Sequence, residues 1–329
     1  MRTKGLRIAA VLCATLAPGG LTYAQSGDFV AAVTVVQTDP HYPGTLLAGT
    51  ATAQIYRSRD GGNTWSPLPF PGTMRSNLHA LLIDPSKPRV YFAAVSSEIN
   101  SMAGAFRSLD EGATWEQMPG LANQQVWSMA FFPRDGRVIA AGTQDGVHLS
   151  RDAGETWTRL GSQASDWPKP VVSLAFDPAD SKTLYAGTPH LAWRTADGGA
   201  TWRRLPKGML DDSDIFFIEV DQSRRTLFAA ACNGIYRSSD GGSTWASLER
   251  ALGGQIRTYF VVRAPGRPNV IFAGTSGGLM QSLDGGTRWI RRTAVRARSI
   301  AFDSADPRRV FIATDRGILR SEDGGLRFR

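Results

Sequence analysis

Cysteine is almost absent from this chain, with 2 in 329 residues. One of them, Cys13, lies in a segment expected to be removed on export. The other, Cys232, then has no partner for an internal disulfide, so stability has to come from packing. Lying between Ala231 and Asn233 at the end of an apolar strand-like run, it reads as a buried, inert thiol. Histidine is also scarce. His41, His79, His148 and His190 lie in different repeats and lack ligand spacing, which argues against a metal centre. There is no Gly-x-Ser-x-Gly elbow for a serine hydrolase, and nothing in the sequence implies a cofactor. No apolar run is long enough to span a bilayer, and no long helical period appears. What the chain does contain is 35 glycines, 9 tryptophans and many short strand-like runs with Gly-rich turns, which together read as all-β. Its length could hold two average domains, but closed repeat folds often run longer as one unit and can bury a large core.

The first 24 residues read as a secretory signal peptide. Arg2, Lys4 and Arg7 precede a short apolar stretch, Ile8 to Leu16, and Thr22-Tyr23-Ala24 offers small residues for cleavage before Gln25. Leu12 before Cys13 fits a lipoprotein processing site poorly, so the expected mature protein, 25–329, is an exported, soluble and monomeric chain, secreted or periplasmic. Loss of the leader lowers the formal net charge from +8 to +5. The pI of 9.9 does not point to nucleic acid, because the basic residues are dispersed and the chain is exported. It suits an anionic glycan or acidic protein surface better.

An internal repeat dominates the remainder. Ser58-Arg59-Asp60-Gly61-Gly62-Asn63-Thr64-Trp65 recurs at 108–115, 150–157, 195–202, 238–245, 282–289 and 321–328. Its aspartates, Asp60, Asp110, Asp152, Asp197, Asp240, Asp284 and Asp323, are spaced by 50, 42, 45, 43, 44 and 39 residues. A period in the forties with four strand-like runs per repeat predicts a seven-bladed β-propeller of four-stranded antiparallel blades. In the fourth repeat, Val171 to Phe176 is the expected inner strand and Asp177-Pro178-Ala179-Asp180 a turn. Thr183 to Gly187, Leu191 to Thr195 and Thr201 to Leu205 follow as further strands. Apolar inner runs such as Leu81-Leu82-Ile83 suit strands covered on both faces.

The Ser-x-Asp-x-Gly-x-Thr-Trp pattern resembles the Asp-box (BNR) repeat superfamily over nearly the whole mature chain. Ser and Asp oxygens can accept local backbone N–H bonds, Gly permits positive φ, and Trp buries apolar surface between blades. The resemblance implies that the boxes are structural and lie on the face away from active sites. Asp39, Asp84, Asp177 and Asp303 fit turn formation equally well. Sialidases of this superfamily need an upstream Arg-Ile-Pro, which is missing here. The sortilin-type proteins have ten blades, and the xyloglucan-degrading proteins have two tandem rings. A single seven-bladed ring after an export signal is most similar to the photosystem II assembly-factor family, which acts by binding a partner protein.

Function is therefore expected on the opposite face, in the residues that break the repeat. The blade-two loop from Val95 to Gly104 is unusually long and carries Glu98 and Asn100. The connectors Ser165-Asp166-Trp167 and Asp211-Asp212-Ser213-Asp214 add acidity, while Arg291, Arg292, Arg296 and Arg298 cluster positive charge. Aligning the inner strands five residues before the first turn gives Thr34, His79, Trp127, Val172, Phe216, Tyr259 and Arg298. Two residues later every blade is apolar. His79, Trp127, Tyr259 and Arg298 are thus candidates for a recognition surface at the channel entrance. The alternative is that they are only partly exposed strand starts. Preceding the boxes, Arg57, Arg107, Arg194, Arg237 and Arg320 suit an inter-blade salt bridge or an anion site, with Leu149 and Gln281 in their place in two blades.

Two functions stay open. One is a scaffold that binds a protein or glycan. The other is a glycosidase-like enzyme, which requires two carboxyls facing across a cleft at roughly 5–9.5 Å; Glu98, Asp166, Asp212 and Asp214 are candidates. Because the last box ends at Arg329, blade seven is expected to be the least complete, either short of a strand or supplemented by residues near Asp28 to Ala32.

Overall fold

The computed structural model describes Phe29 and residues 31–161, 168–210, 213–221 and 226–329. The expected leader, 1–24, and Ser165, Asp166, Trp167, Asp211 and Asp212 lie outside these residues. The chain is an all-β, seven-bladed β-propeller. Six blades are four-stranded antiparallel sheets in sequential strand order, each built from its own stretch of chain. Blade one, for example, comprises Val33–Thr38, Leu46–Thr50, Ile55–Ser58 and Ser66–Leu68. Blade four runs Ser173–Asp177, Asp180–Gly187, Ala192–Thr195 and Arg203–Arg204, close to the expected limits. None of the helices among the described residues is long and apolar enough to cross a membrane.

The core is not central. It is divided into seven apolar clusters, each lying between neighbouring blades. The second strands are the fully covered ones: every residue of Leu46–Thr50, Leu227–Ala231 and Val310–Thr314 is buried. The inner strands differ from the expectation of two covered faces. In Val33–Thr38 and Ile215–Val220 each buried residue is followed by two partly exposed ones, because their inner edge meets the central channel rather than another strand.

The Asp box closes the turn between the third and fourth strands by the same set of hydrogen bonds in five of the blades. In blade three the Ser150 hydroxyl donates to Asp152 and accepts from the Gly154 N–H. Asp152 accepts from the Thr156 N–H and hydroxyl. These donors hold the carboxyl at a pKa of about 2, with the Thr156 hydroxyl and N–H contributing most. Blades one, two, four and five repeat this set. In blade six Arg288 takes the threonine's place. The second box glycine has positive φ and lies over an apolar side chain of the preceding blade. A Cβ on Gly112 would lie 2.6 Å from Leu68, and one on Gly199 2.6 Å from Leu160. The first-turn aspartates Asp39, Asp84, Asp177 and Asp303 are buried and accept N–H groups two or three residues on.

In five blades the residue before the box, Arg57, Arg107, Arg237, Gln281 or Arg320, latches one blade to the next. Arg57 donates to the carbonyl of Glu111 at 3.0 Å and to its carboxylate, and Arg107 pairs with Glu155. Elsewhere the acceptor is a box carbonyl: Gly285 for Arg237 and Gly324 for Gln281. Arg320 reaches Gly61 and Asn63 of blade one and so closes the ring. The expected salt bridge is thus present in two blades, and a hydrogen bond to a carbonyl of the next box serves in three others.

Blade seven is the least complete among the described residues, with three strands, Ala297–Phe302, Val310–Thr314 and Gly317–Ser321. Arg320 and Arg329 exchange two backbone hydrogen bonds, at 2.8 and 2.9 Å, which begin a fourth. Phe328 is buried in the tryptophan position. At the seam, Phe29 packs on Tyr56 and Trp65 with ring centroids 5.0 and 5.4 Å apart. Phe70 makes the matching contacts with Phe106 and Trp115 at the next junction, both at 5.1 Å. Phe29 therefore supplies at the seam what an outer-strand connector supplies elsewhere.

Candidate functional site: the channel mouth

All seven residues of the aligned ring line one cavity of about 360 Å³ in the central channel. A local irregularity explains why. In blade one Val33 pairs with Thr50 and Val35 with Gly49, so Thr34 is the extra residue of a β-bulge. The pairing skips His79, Trp127, Phe216, Tyr259 and Arg298 in the same way. A bulged residue is released from the ladder and its side chain is re-aimed, here into the channel. The facing second-strand residue is always small: Gly49, Ala94, Gly142, Gly187, Ala230, Gly274 or Ala313. A Cβ on Gly274 would sit 2.2 Å from Phe260 and 2.6 Å from the Ala297 carbonyl of the next blade.

His79 and Arg298 are held by residues of their own blades. His79 Nε2 is 2.7 Å from the Ser96 hydroxyl. Its imidazole reaches water through the mouth, yet protein encloses it on most sides, and this desolvation lowers its pKa to about 4. It is therefore neutral at physiological pH. Arg298 donates from Nε to Asp315 at 2.8 Å. On the blades five to seven side, two further arginines stack on ring aromatics. The Arg257 guanidinium lies 4.9 Å from the centre of Phe216, and that of Arg296 lies 5.9 Å from the centre of Tyr259. Each stands two residues before a ring residue and covers the ring residue of the preceding blade. Arg257 is missing from the sequence-based candidates, although that repeated offset marks it.

The blade-two loop is fixed beside the mouth. Ser97 donates its N–H to Gln125 Oε1 and accepts from Gln125 Nε2, both at 2.9 Å, and the Glu98 N–H bonds the Arg75 carbonyl. Gln125 lies two residues before Trp127, so loop and ring form one continuous surface. Glu98 and Ile99 are exposed on it, and Asn100 opens a single 3-10 turn, Asn100–Met102. Glu98 stands beside the cavity rather than in it. Trp167 lies outside the described residues. The expected basic cluster is divided: Arg291 and Arg292 belong to an outer strand, Ile290–Thr293, where Arg292 bonds Gln281, and only Arg296 and Arg298 reach the mouth. Cys232 is half-buried rather than buried.

Among the described residues no Asp or Glu lines this cavity, and no three His, Cys, Asp or Glu residues gather as a metal site. A carboxylate pair does occur in a second cavity, on the Asp-box face between blades five and six. There Arg263 joins Glu219 at 3.2 Å and Asp221 at 2.9 Å. Desolvation raises the Glu219 pKa, and Arg263 opposes that rise.

A seven-bladed ring with a chemically varied channel mouth is thus the class that the fold and site define. No protein-family model matches the chain. It is 30% identical over 176 residues to a xyloglucanase from a Paenibacillus species, a match covering 41% of this chain and 17% of that enzyme. The chain thus spans less than a fifth of this curated relative. The GH74 xyloglucanase structure from Xanthomonas campestris superposes with a TM-score of 0.73 at 19% identity, over 90% of this chain and 52% of that one. YCF48 bound to D1 peptide superposes with a TM-score of 0.65 at 17% identity, over 88% and 93%. At these identities the structural likenesses establish the fold.

Proposed function

We propose that this protein is an exported binding propeller that recognises a glycan or protein partner at the channel mouth without hydrolysing it. The observation that carries this reading is the bulge ring. It presents seven different side chains to one cavity, and none of the described lining residues is a carboxylic acid. Sites built for recognition combine aromatic surface with a few placed polar groups, as Trp127, Phe216, Tyr259, His79 and Arg298 do here. The likeness to YCF48, whose structure holds a peptide, supports a binding role for such a ring. The test is capture of partners from an envelope fraction, paired with a glycan array. Replacing His79, Trp127, Tyr259 and Arg298 together by alanine should abolish the binding seen, and retention of full binding by this folded variant would refute the reading.

A second reading, a glycoside hydrolase, is supported by the partial sequence similarity to xyloglucanases. Glu219 and Asp221 are its best carboxyl pair among the described residues, but both are engaged by Arg263. Release of reducing ends from xyloglucan that is lost on Glu219→Gln would establish this reading over the first.

A further inference from the structure

The described lining of the mouth carries one formal charge, the Arg298 guanidinium. Trp127, Tyr259 and Arg298 line the cavity, and among the described residues Trp127 Nε1, the Tyr259 hydroxyl and the Nη groups of Arg298 have no hydrogen-bond partner, whereas Arg298 Nε is held by Asp315. Three lining hydroxyls spend their protons on backbone carbonyls and keep their acceptor lone pairs. Thr34 bonds the Gly49 and Leu78 carbonyls, Ser128 approaches the Val171 carbonyl, and Ser299 the Val36 carbonyl. With no carboxylate in the described lining, the acceptors it offers are neutral ones: these hydroxyls, Gln37 and the His79 imidazole.

The rim is charged in the same sense. Arg257, Arg296 and Arg298 stand on one arc of the rim, opposed by Asp214 and Asp315. That leaves a surplus of positive charge beside a cavity enclosing a neutral imidazole. Asp315 orients Arg298 by its Nε edge and leaves the terminal Nη pair open, the arrangement that suits bidentate pairing with a carboxylate. A cavity of about 360 Å³ lies at the small end of the roughly 300–1,000 Å³ typical of ligand pockets.

We propose, building on the reading of the mouth as the recognition site, that its ligand is an acidic oligosaccharide whose uronate carboxylate pairs with Arg298. The ring and hydroxyl oxygens of the sugar accept from Trp127 and Tyr259. A carboxylate-bearing peptide is the competing occupant, and the oligoglutamate arm of the test distinguishes it. A neutral glycan would leave the open edge of Arg298 without an anion.

The test is calorimetric titration of the purified chain with oligogalacturonate, neutral xyloglucan fragments and oligoglutamate. The expected result is binding of oligogalacturonate that weakens with added salt, with no binding of the other two probes. Arg298→Gln should weaken it about tenfold or more, the loss expected for a charge-assisted hydrogen bond. Tyr259→Phe, which keeps the ring and removes one hydroxyl, should weaken it a few-fold, and unchanged thermal melting of both variants would show that they fold. Failure of oligogalacturonate to bind at millimolar concentration overturns the proposal, as does equal affinity for neutral fragments. Binding of oligoglutamate that Arg298→Gln abolishes would overturn the glycan and leave the mouth as the recognition site. Oligogalacturonate binding that survives both variants would overturn the site itself.

Discussion

Arg263 supports a measurable prediction about what joins blades five and six. Its side chain is 13% exposed and lies between Glu219 and Asp221, at 20% and 15%. Arg263→Met keeps the bulk over Phe228, where the guanidinium now lies 5.6 Å from the ring centre, but removes the charge. Glu219 then stays largely buried without its cation. Breaking such a pair from one side costs about 3–5 kcal/mol, and the remaining exposure of Glu219 places the loss near the lower figure. For a domain of about 150–250 residues or more, each kcal/mol moves Tm by roughly 2–4 °C or less; a fall of about 6–10 °C is expected by calorimetry. The pH dependence separates this cause from lost packing. Desolvation already raises the Glu219 pKa, and removing Arg263 raises it further. A carboxyl whose folded pKa is raised stabilises the fold at low pH relative to high pH. The deficit of the variant should therefore shrink from pH 8 to pH 5, and adding Glu219→Gln should recover most of it. A deficit that is independent of pH and unrelieved by Glu219→Gln would refute the electrostatic account.

The Asp boxes titrate in the opposite sense. Six of them are held at about 2 against an ordinary 3.8. Lowered folded pKa values contribute stability above about pH 4, which is lost as pH falls towards 2. Melting temperature should drop steeply across that window, and Asp152→Asn should reduce the steepness. Gly274→Ala forces a Cβ against the Ala297 carbonyl and should cost about 1–3 kcal/mol in chemical denaturation; Ala313→Gly at the matching place in blade seven should be mild. Phe29→Ala should cost about 2–3 kcal/mol, below the usual loss for a wholly buried phenylalanine, and should promote proteolysis at the seam of blades seven and one.

Blade number, box positions and the substitution of Phe328 for tryptophan were legible because one turn chemistry recurs at a steady period. The ring was legible too, once the inner strands were aligned on their first turn, since Thr34, His79, Trp127, Val172, Phe216, Tyr259 and Arg298 all reach one cavity. The bulge that sends six of them there was not, because it depends on register between strands and leaves no local residue signature. The latch acceptors were hidden for a related reason: the Gly285 and Gly324 carbonyls are backbone groups common to every residue. Glu219 and Arg263 lie 44 residues apart and meet only through blade packing. The split of the arginine cluster likewise required knowing that Ile290–Thr293 is peripheral.

The bulges also bear on how such a ring can diversify. A side chain outside the strand ladder can be exchanged without altering the hydrogen bonds beside it, and the small residue across from it keeps the blades in contact whatever the ring position carries. Each repeat thus holds one position at which selection can act almost independently of folding, and duplication of the repeat multiplies such positions. A lineage could change the ligand preference of its propeller one blade at a time, with stability left nearly constant throughout.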